Sequence, residues 1–322
     1  MKKICRIGCV GLLSDLPLYV AHARGLFVEQ GIEVALSTEL GWASVEARLS
    51  SGKLSAANVP ALMPLALAAG LGKSALPLHA IAPTSYQGQA IVLSTRAHAL
   101  LSNAARPATP VRIGVESPYA FSTYFLQSWI KRSHPTWADR ITTMPIAVSQ
   151  AIDLLKDGHI HGLCCAEPVC RVATTEGVAI TLTRSSELFP GHLESLLACT
   201  ENFLSTDEAA VRRIAAAIET ARQYCARPEN QPEALRIFLE QKSAIITSSS
   251  AVPGALGGDL ELSRLIRFEA ASPAAPAAGL GAVEPLIAAT LALPGVRVSE
   301  SDLRQAAGKI FAPLRTKPPV TA

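Results

Sequence analysis

Short apolar runs alternate with amphipathic stretches from the start of the chain. Ile4–Val10 is apolar but for Arg6 and short enough for a buried strand. Leu18–Gln30 repeats its apolar positions at helical spacing until Gly31 stops it. The same alternation predicts strands at Ile32–Leu36, Ala56–Asn58, Leu78–Ala82 and Ala90–Ser94, with helices at Ala43–Ser51 and Met63–Ala69. A second series follows. Its strands are Val111–Val115, Ile141–Pro145, Leu163–Cys165 and Val178–Leu182, and its helices are Ser122–Arg132 and Ser149–Lys156. Asp207–Ala226 reads as a long amphipathic helix, with Ser205 or Thr206 as its expected cap and Asp207 and Glu208 in its first turn. Pro232–Gln241 and Asp302–Lys309 read as further helices, and Ala270–Ala278 (AASPAAPAA) as a loop.

Strands that alternate with helices predict an α/β fold with parallel sheets covered on both faces. Two such series predict two units with a ligand cleft between them, because ligands of open α/β sheets sit outside the carboxyl ends of the strands. The loops at those ends are Gly11–Asp15, Gly41–Trp42, Asn58–Pro60, Pro83–Gln89, Glu116–Ser122 and Ala166–Cys170.

Composition excludes several classes. The 322 residues are 49% hydrophobic and 17% charged, which excludes disorder, and the length suits about two domains. Lys and Arg number 29 against 26 Asp and Glu, and no basic stripe stands out, so no direct contact with nucleic acid is expected. The longest apolar stretch, Val59–Gly72, carries Pro60 and Pro64 and falls short of the roughly 20 residues of a membrane helix, so no membrane insertion is expected. Ile7–Leu13 makes a poor core for a secretory signal. Seven cysteines, an odd number, suit a reducing compartment. A cytoplasmic location is therefore expected, or a periplasmic one if the natural start lies further upstream.

Several segments, in order, resemble one family. IGCVGLLSDLPLYVAHARGLFVEQGIEVAL resembles its first strand, helix and strand, and GWASVEARLSSGKLSAANVPALMPLALAAGLG its Trp-containing loop and Met-Pro helix. YQGQAIVLS resembles the segment that carries a pocket Gln, GLCCAEPVCRVATTEGV the Gly-Glu-Pro-Trp segment, and PGHLESLLACTENF the stretch before the return helix. Together they cover roughly residues 4–242 and are similar to the periplasmic-binding-protein-like receptors for nitrate and bicarbonate, the NrtA/CmpA group, closest in type to the cytosolic nitrate sensor NasS.

The resemblance implies a type II, two-lobed fold with a hinge crossed twice. One lobe would hold 1–85 plus 195–322, and the other 86–194. It implies binding of a small anion-type solute such as nitrate or nitrite by hinge closure, with no bond chemistry and no cofactor. A cytosolic sensor of this kind releases an antiterminator-like regulatory partner. The alternative is the receptor of an ABC importer, working with a permease, for nitrate, bicarbonate, a sulfonate or a related organic ligand.

The implied ligand-binding residues are Trp42, Asn58, Gln87, Gln89, Ser122, Ala166, Glu167 and Ser195. Trp42 and Gln89 match pocket residues and offer N–H donors. Gln87 is expected on the same strand face as Gln89. Glu167 is read either as a contact between the lobes or as a solvated loop acid. Four positions depart from the family: Ser122 replaces a His, Ser195 a Lys, Ala166 a Gly and Val169 a Trp. The first two remove the cationic contacts, which favours a neutral or organic ligand, or an anion held by hydroxyls and backbone N–H groups. His192, three residues before Ser195, is a candidate substitute cation, although it matches a different position of the family.

His159, His161, Cys164, Cys165 and Cys170 form a set of imidazole and thiolate donors, the candidate metal ligands of the chain. Its spacing fits no standard zinc motif, and Cys164 and Cys165 would point to opposite faces of a strand, so no metal is expected. The least favoured reading is a metal-dependent enzyme related to thiamine-pyrimidine synthases, whose Cys-rich loop the chain does not reproduce. No nucleophile elbow or phosphate loop is present in the sequence.

Overall fold

The computed structural model describes residues 4–72, 76–102, 110–118, 120–241, 251–257, 261–269 and 280–312. The strands are β1 (Cys5–Cys9), β2 (Val34–Thr38), β3 (Ala56–Pro60), β4 (Leu78–Tyr86), β5 (Gln89–Leu93), β6 (Val111–Val115), β7 (Ile141–Pro145), β8 (Gly162–Ala166), β9 (Ile180–Arg184) and β10 (Leu193–Thr200). They form two five-stranded sheets, in the orders β2-β1-β3-β10-β4 and β7-β6-β8-β5-β9.

The sheets are mixed, each combining parallel with antiparallel pairs, within the expected α/β architecture. In the first, β1 runs parallel to β2 and β3, while β10 is antiparallel to β3 and β4. In the second, β6 runs parallel to β7 and β8, while β5 is antiparallel to β8 and β9. Connectivity supplies the reason. β5 and β10 are the first strands after the chain passes from one sheet to the other. Each enters at the edge where its parallel neighbours end, so each must run the opposite way. Four of the six inner strands, β3, β5, β8 and β10, are buried at every position, and their sequences are mostly apolar.

Several boundaries differ from expectation. The helix expected over Leu18–Gln30 is two, Leu16–Ala23 and Leu26–Glu29, because Gly25 takes a left-handed φ of 73° between them. The long helix, Glu208–Ala226, is capped by Asp207, whose Oδ1 accepts the Ala210 N–H at 2.9 Å; Ser205 and Thr206 belong to a separate helix, Glu201–Thr206. β4 continues past Pro83 because it is an edge strand of its sheet, and the register shifts at that point. β10 and the helices Thr95–Ser102, Val169–Thr175 and Leu280–Leu291 were not foreseen. The expected loop Ala270–Ala278 lies outside the described residues.

Later parts of the chain return to both sheets. Tyr86 and Arg267 form an antiparallel bridge at the end of β4, and the Ala255 carbonyl accepts Arg171 Nε–H at 3.0 Å beside the second sheet. Among the described residues no helix is long and apolar enough to cross a membrane.

Candidate functional site

The carboxyl ends of β1, β3 and β4 and the amino end of β10 share one edge of the first sheet. The carboxyl ends of β6, β8 and β9 and the amino end of β5 share the matching edge of the second. The candidate residues lie on these two edges.

On the first edge, the turn after β1 wraps around Asp15. Its Oδ2 accepts the backbone N–H groups of Val10, Gly11 and Leu12 at 3.1, 2.7 and 3.0 Å. Gly11, at φ 87°, lets the backbone turn tightly enough for all three to reach one oxygen. Asn58 Nδ2–H donates to Asp15 Oδ1 at 2.7 Å and to the Ser14 carbonyl at 3.0 Å, and Asn58 Oδ1 accepts from Thr84 Oγ at 2.7 Å. Asn58 therefore spends its amide on holding Asp15 and β4 together. Burial pushes the Asp15 carboxyl up to about 6, although its hydrogen-bond donors pull the other way.

On the second edge, Glu116 follows β6. Its Oε1 accepts the Ala166 N–H, and its Oε2 accepts the Trp42 indole N–H at 3.3 Å from the first sheet's side. Burial, and then the neighbouring Glu194 carboxylate, push Glu116 up to about 7 against these donors. Gln89 is the ladder partner of Ala166, and its Nε2–H donates to Glu194 Oε1 at 2.6 Å. Glu194 Oε2 lies 2.9 Å from His192 Nε2. His192 Nδ1 faces the Phe189 carbonyl at 2.9 Å. The imidazole stacks on Phe121 with centroids 4.1 Å apart.

The remaining expected residues fall into place around these acids. Ser122 is in the first turn of the helix Phe121–Ser133, and its carbonyl accepts the Cys164 thiol at 3.2 Å. Ser195 is buried on β10, in register with Ser85 on β4 and Pro60 on β3. Glu167 is 1% exposed, which excludes the solvated loop acid. Its carboxylate accepts from Arg184 at 2.7 Å and from the Arg171 N–H at 2.8 Å, so the contact across the sheets is made by its carbonyl, which accepts the Leu13 N–H at 2.9 Å. Gln87 does not share a strand face with Gln89. It sits in the turn between β4 and β5 at φ 59°, and its N–H donates to the His192 carbonyl at 2.9 Å. Trp42 opens the helix Trp42–Ser50, is buried, and spends its N–H on Glu116.

Four buried polar atoms on these elements have no hydrogen-bond partner among the described residues: Ser14 Oγ, Ser85 Oγ, Gln89 Oε1 and Ser122 Oγ. Asp15, Glu116 and Glu194 are the functional candidates that sequence reasoning left out. Glu194 carried a signal, since it is a lone acid inside the apolar run LESLLAC.

The five metal candidates are dispersed in their bonding. The Cys164 thiol points to Ser122, the Cys165 and Cys170 sulfurs lie 3.5 Å apart, and His161 Nδ1 accepts the Arg112 N–H at 2.9 Å. His159 contributes its carbonyl to Arg112. Burial raises the Cys164 thiol well above its usual range, and the bond to Cys170 together with burial does the same for Cys165, which disfavours metal-binding thiolates. Among the described residues no three His, Cys, Asp or Glu side chains converge to hold a metal ion.

Known proteins share this architecture. The crystal structure of the periplasmic nitrate-binding protein NrtA from Synechocystis superposes with a TM-score of 0.75 at 17% identity, covering 97% of this chain and 90% of that one. The fold is thus that of type II periplasmic binding proteins. In sequence, the nitrate import ATP-binding protein NrtC of Synechocystis sp. is 27% identical over 279 residues, 81% of this chain and 42% of NrtC. The nitrate/nitrite binding protein NrtA of Synechococcus elongatus is 21% identical over 275 residues, 79% of this chain and 62% of its own. The chain therefore spans less than two thirds of these curated relatives, which are components of ABC transport systems or solute-binding proteins. The family model itself matches residues 2–239, every strand of both sheets included, and the chain belongs to the NMT1-like family.

Proposed function

We propose that the chain is a solute receptor that closes two lobes on a small molecule and carries out no bond chemistry. The observation that carries this reading is the pairing of two strand-end edges that meet through Trp42–Glu116 and Leu13–Glu167, with both crossings of the chain beside them. Lobes of 1–85 plus 195–322 and of 86–194 are supported by the strand assignments, which change sheet within two residues of these limits. The cleft between them is the place for Trp42, Gln87, Gln89, Ser122, Ala166, Glu167 and Ser195, with Asn58 behind them.

Two roles suit such a receptor. The seven cysteines are an odd number and all are buried as small apolar groups, which supports a reducing compartment and a cytosolic sensor whose closed form is read by a regulatory partner. The similarity to NrtC supports a receptor that serves an ABC permease. The names of these relatives favour nitrate or nitrite as ligand, and the resemblance to bicarbonate receptors adds bicarbonate. Ser122 and Ser195, standing where the resembling receptors place a His and a Lys, favour a solute that does not need a cationic contact.

Thermal-shift screening of the full chain against nitrate, nitrite, bicarbonate, alkanesulfonates and small organic solutes tests the reading. A ligand of the native state raises the melting temperature by mass action, and Trp42→Ala should abolish that rise. A hit that survives Trp42→Ala would move the site elsewhere.

A further inference from the structure

We propose, on the basis of the receptor reading above, that the cleft is built for a small nitrogen-rich cation that presents planar N–H donors to Glu116, Glu194 and Gln89, rather than for a bare anion.

The cleft is a set of acceptors held on one rung of the second sheet. Gln89 and Ala166 are ladder partners. The Ala166 N–H holds Glu116, and the Gln89 side chain holds Glu194. Each of these carboxylates receives two donors, while an ionised carboxylate has room for about four. Gln89 Oε1 sharpens the point. Its amide must turn Nε2 towards Glu194, so its carbonyl faces the other way, and it remains without a donor although the residue is only 1% exposed. Ser122 Oγ, on a fully buried residue, is a further unpaired atom, and its hydroxyl can take either role.

Charge points the same way. Asp15 and Glu194, both buried acids, each act electrostatically on the buried Glu116. Among the described residues no Lys or Arg pairs with Glu116 or Glu194; the basic group there is His192, already spent on Glu194. A bare anion would add negative charge to this set and meet its acceptors with more lone pairs. An amidinium or guanidinium fork would meet carboxylate oxygens through paired N–H donors, the geometry in which such hydrogen bonds are strongest.

Saturation-transfer NMR and calorimetry on the full chain test this with four probes at equal ionic strength: acetamidinium chloride, methylguanidinium chloride, sodium nitrate and sodium methanesulfonate. Binding of the two cations and not of the anions is expected, weakened ~10-fold or more in Glu194→Gln. Gln89→Ala, which keeps both acids, should weaken cation binding as well and serves if Glu194→Gln fails to fold. Cation binding unchanged in these variants would overturn the assignment. Anion binding that depends on Trp42, with no cation binding, would overturn the ligand class and leave the receptor standing. Silence from all four probes would overturn the ligand class, and silence across the wider solute panel would remove the receptor reading as well.

Discussion

Glu116 and Asp15 are carboxyl groups that folding makes harder to ionise. For Glu116 the shift runs from 4.5 to about 7, so the folded chain binds more protons than the unfolded one across that interval. The associated stability is complete below pH 4.5 and is lost as pH rises through 7. At 1.36 kcal/mol per unit the loss is about 3 kcal/mol. Asp15 adds a loss of the same sign between 3.8 and about 6. Urea denaturation at pH 4.5 and 7.5 should show a shallower decline in Glu116→Gln than in the parent; an equal decline would mean that Glu116 is not the group responsible. A second variant, Asp15→Ala, strands the N–H groups of Val10, Gly11 and Leu12 and the Asn58 amide, and should cost about 3 kcal/mol or more in the same measurement. These acids were hard to read from sequence because burial and partners decide their role. Asp15 and Glu116 stood at the ends of candidate cleft loops with nothing in the sequence to mark them as buried, whereas Trp42 and Gln89 stood out by N–H donors that the structure spends on Glu116 and Glu194.

At the scale of elements, most strands were legible as short apolar runs. β1, β2, β6 and β7 were each bounded by turn residues or helices, and their expected spans agree with the structure to within about two residues. β10 was missed because Glu194 and Ser195 interrupt its apolar run near its start, a break that the equally buried β5 and β8 lack. The helix Leu280–Leu291 was missed because Pro285 interrupts its pattern. Packing between inner strands leaves little slack. A Cβ on Gly162 of β8 would stand 2.5 Å from the Val92 carbonyl of the neighbouring β5, a backbone atom that cannot swing aside. Gly162→Ala should therefore destabilise the chain by about 2 kcal/mol, measured as a lower urea midpoint at unchanged slope.

For the whole molecule, the contact between Trp42 and Glu116 connects binding to shape. The indole N–H bridges elements that start on different sheets, so it contributes only when the two edges are together. Trp42→Phe keeps an aromatic ring and removes this bond. It should weaken solute binding by about 10-fold and raise the radius of gyration of the solute-free chain in small-angle scattering, since a lost bond of about 1 kcal/mol shifts the closed population. An unchanged radius with weakened binding would instead make Trp42 a plain ligand contact. The crossing strands also set an order of assembly. Every strand of the second sheet lies within residues 89–184, whereas the first sheet lacks its inner strand β10 until residues 193–200 exist. During synthesis the later-numbered sheet can therefore close first, while β1 to β4 wait with β3 and β4 lacking the strand that joins them. Ribosome-bound chains in which residue 192 has just left the exit tunnel should resist proteolysis in the second sheet and be cut in the first, so the strands made first are the last to become a finished structure.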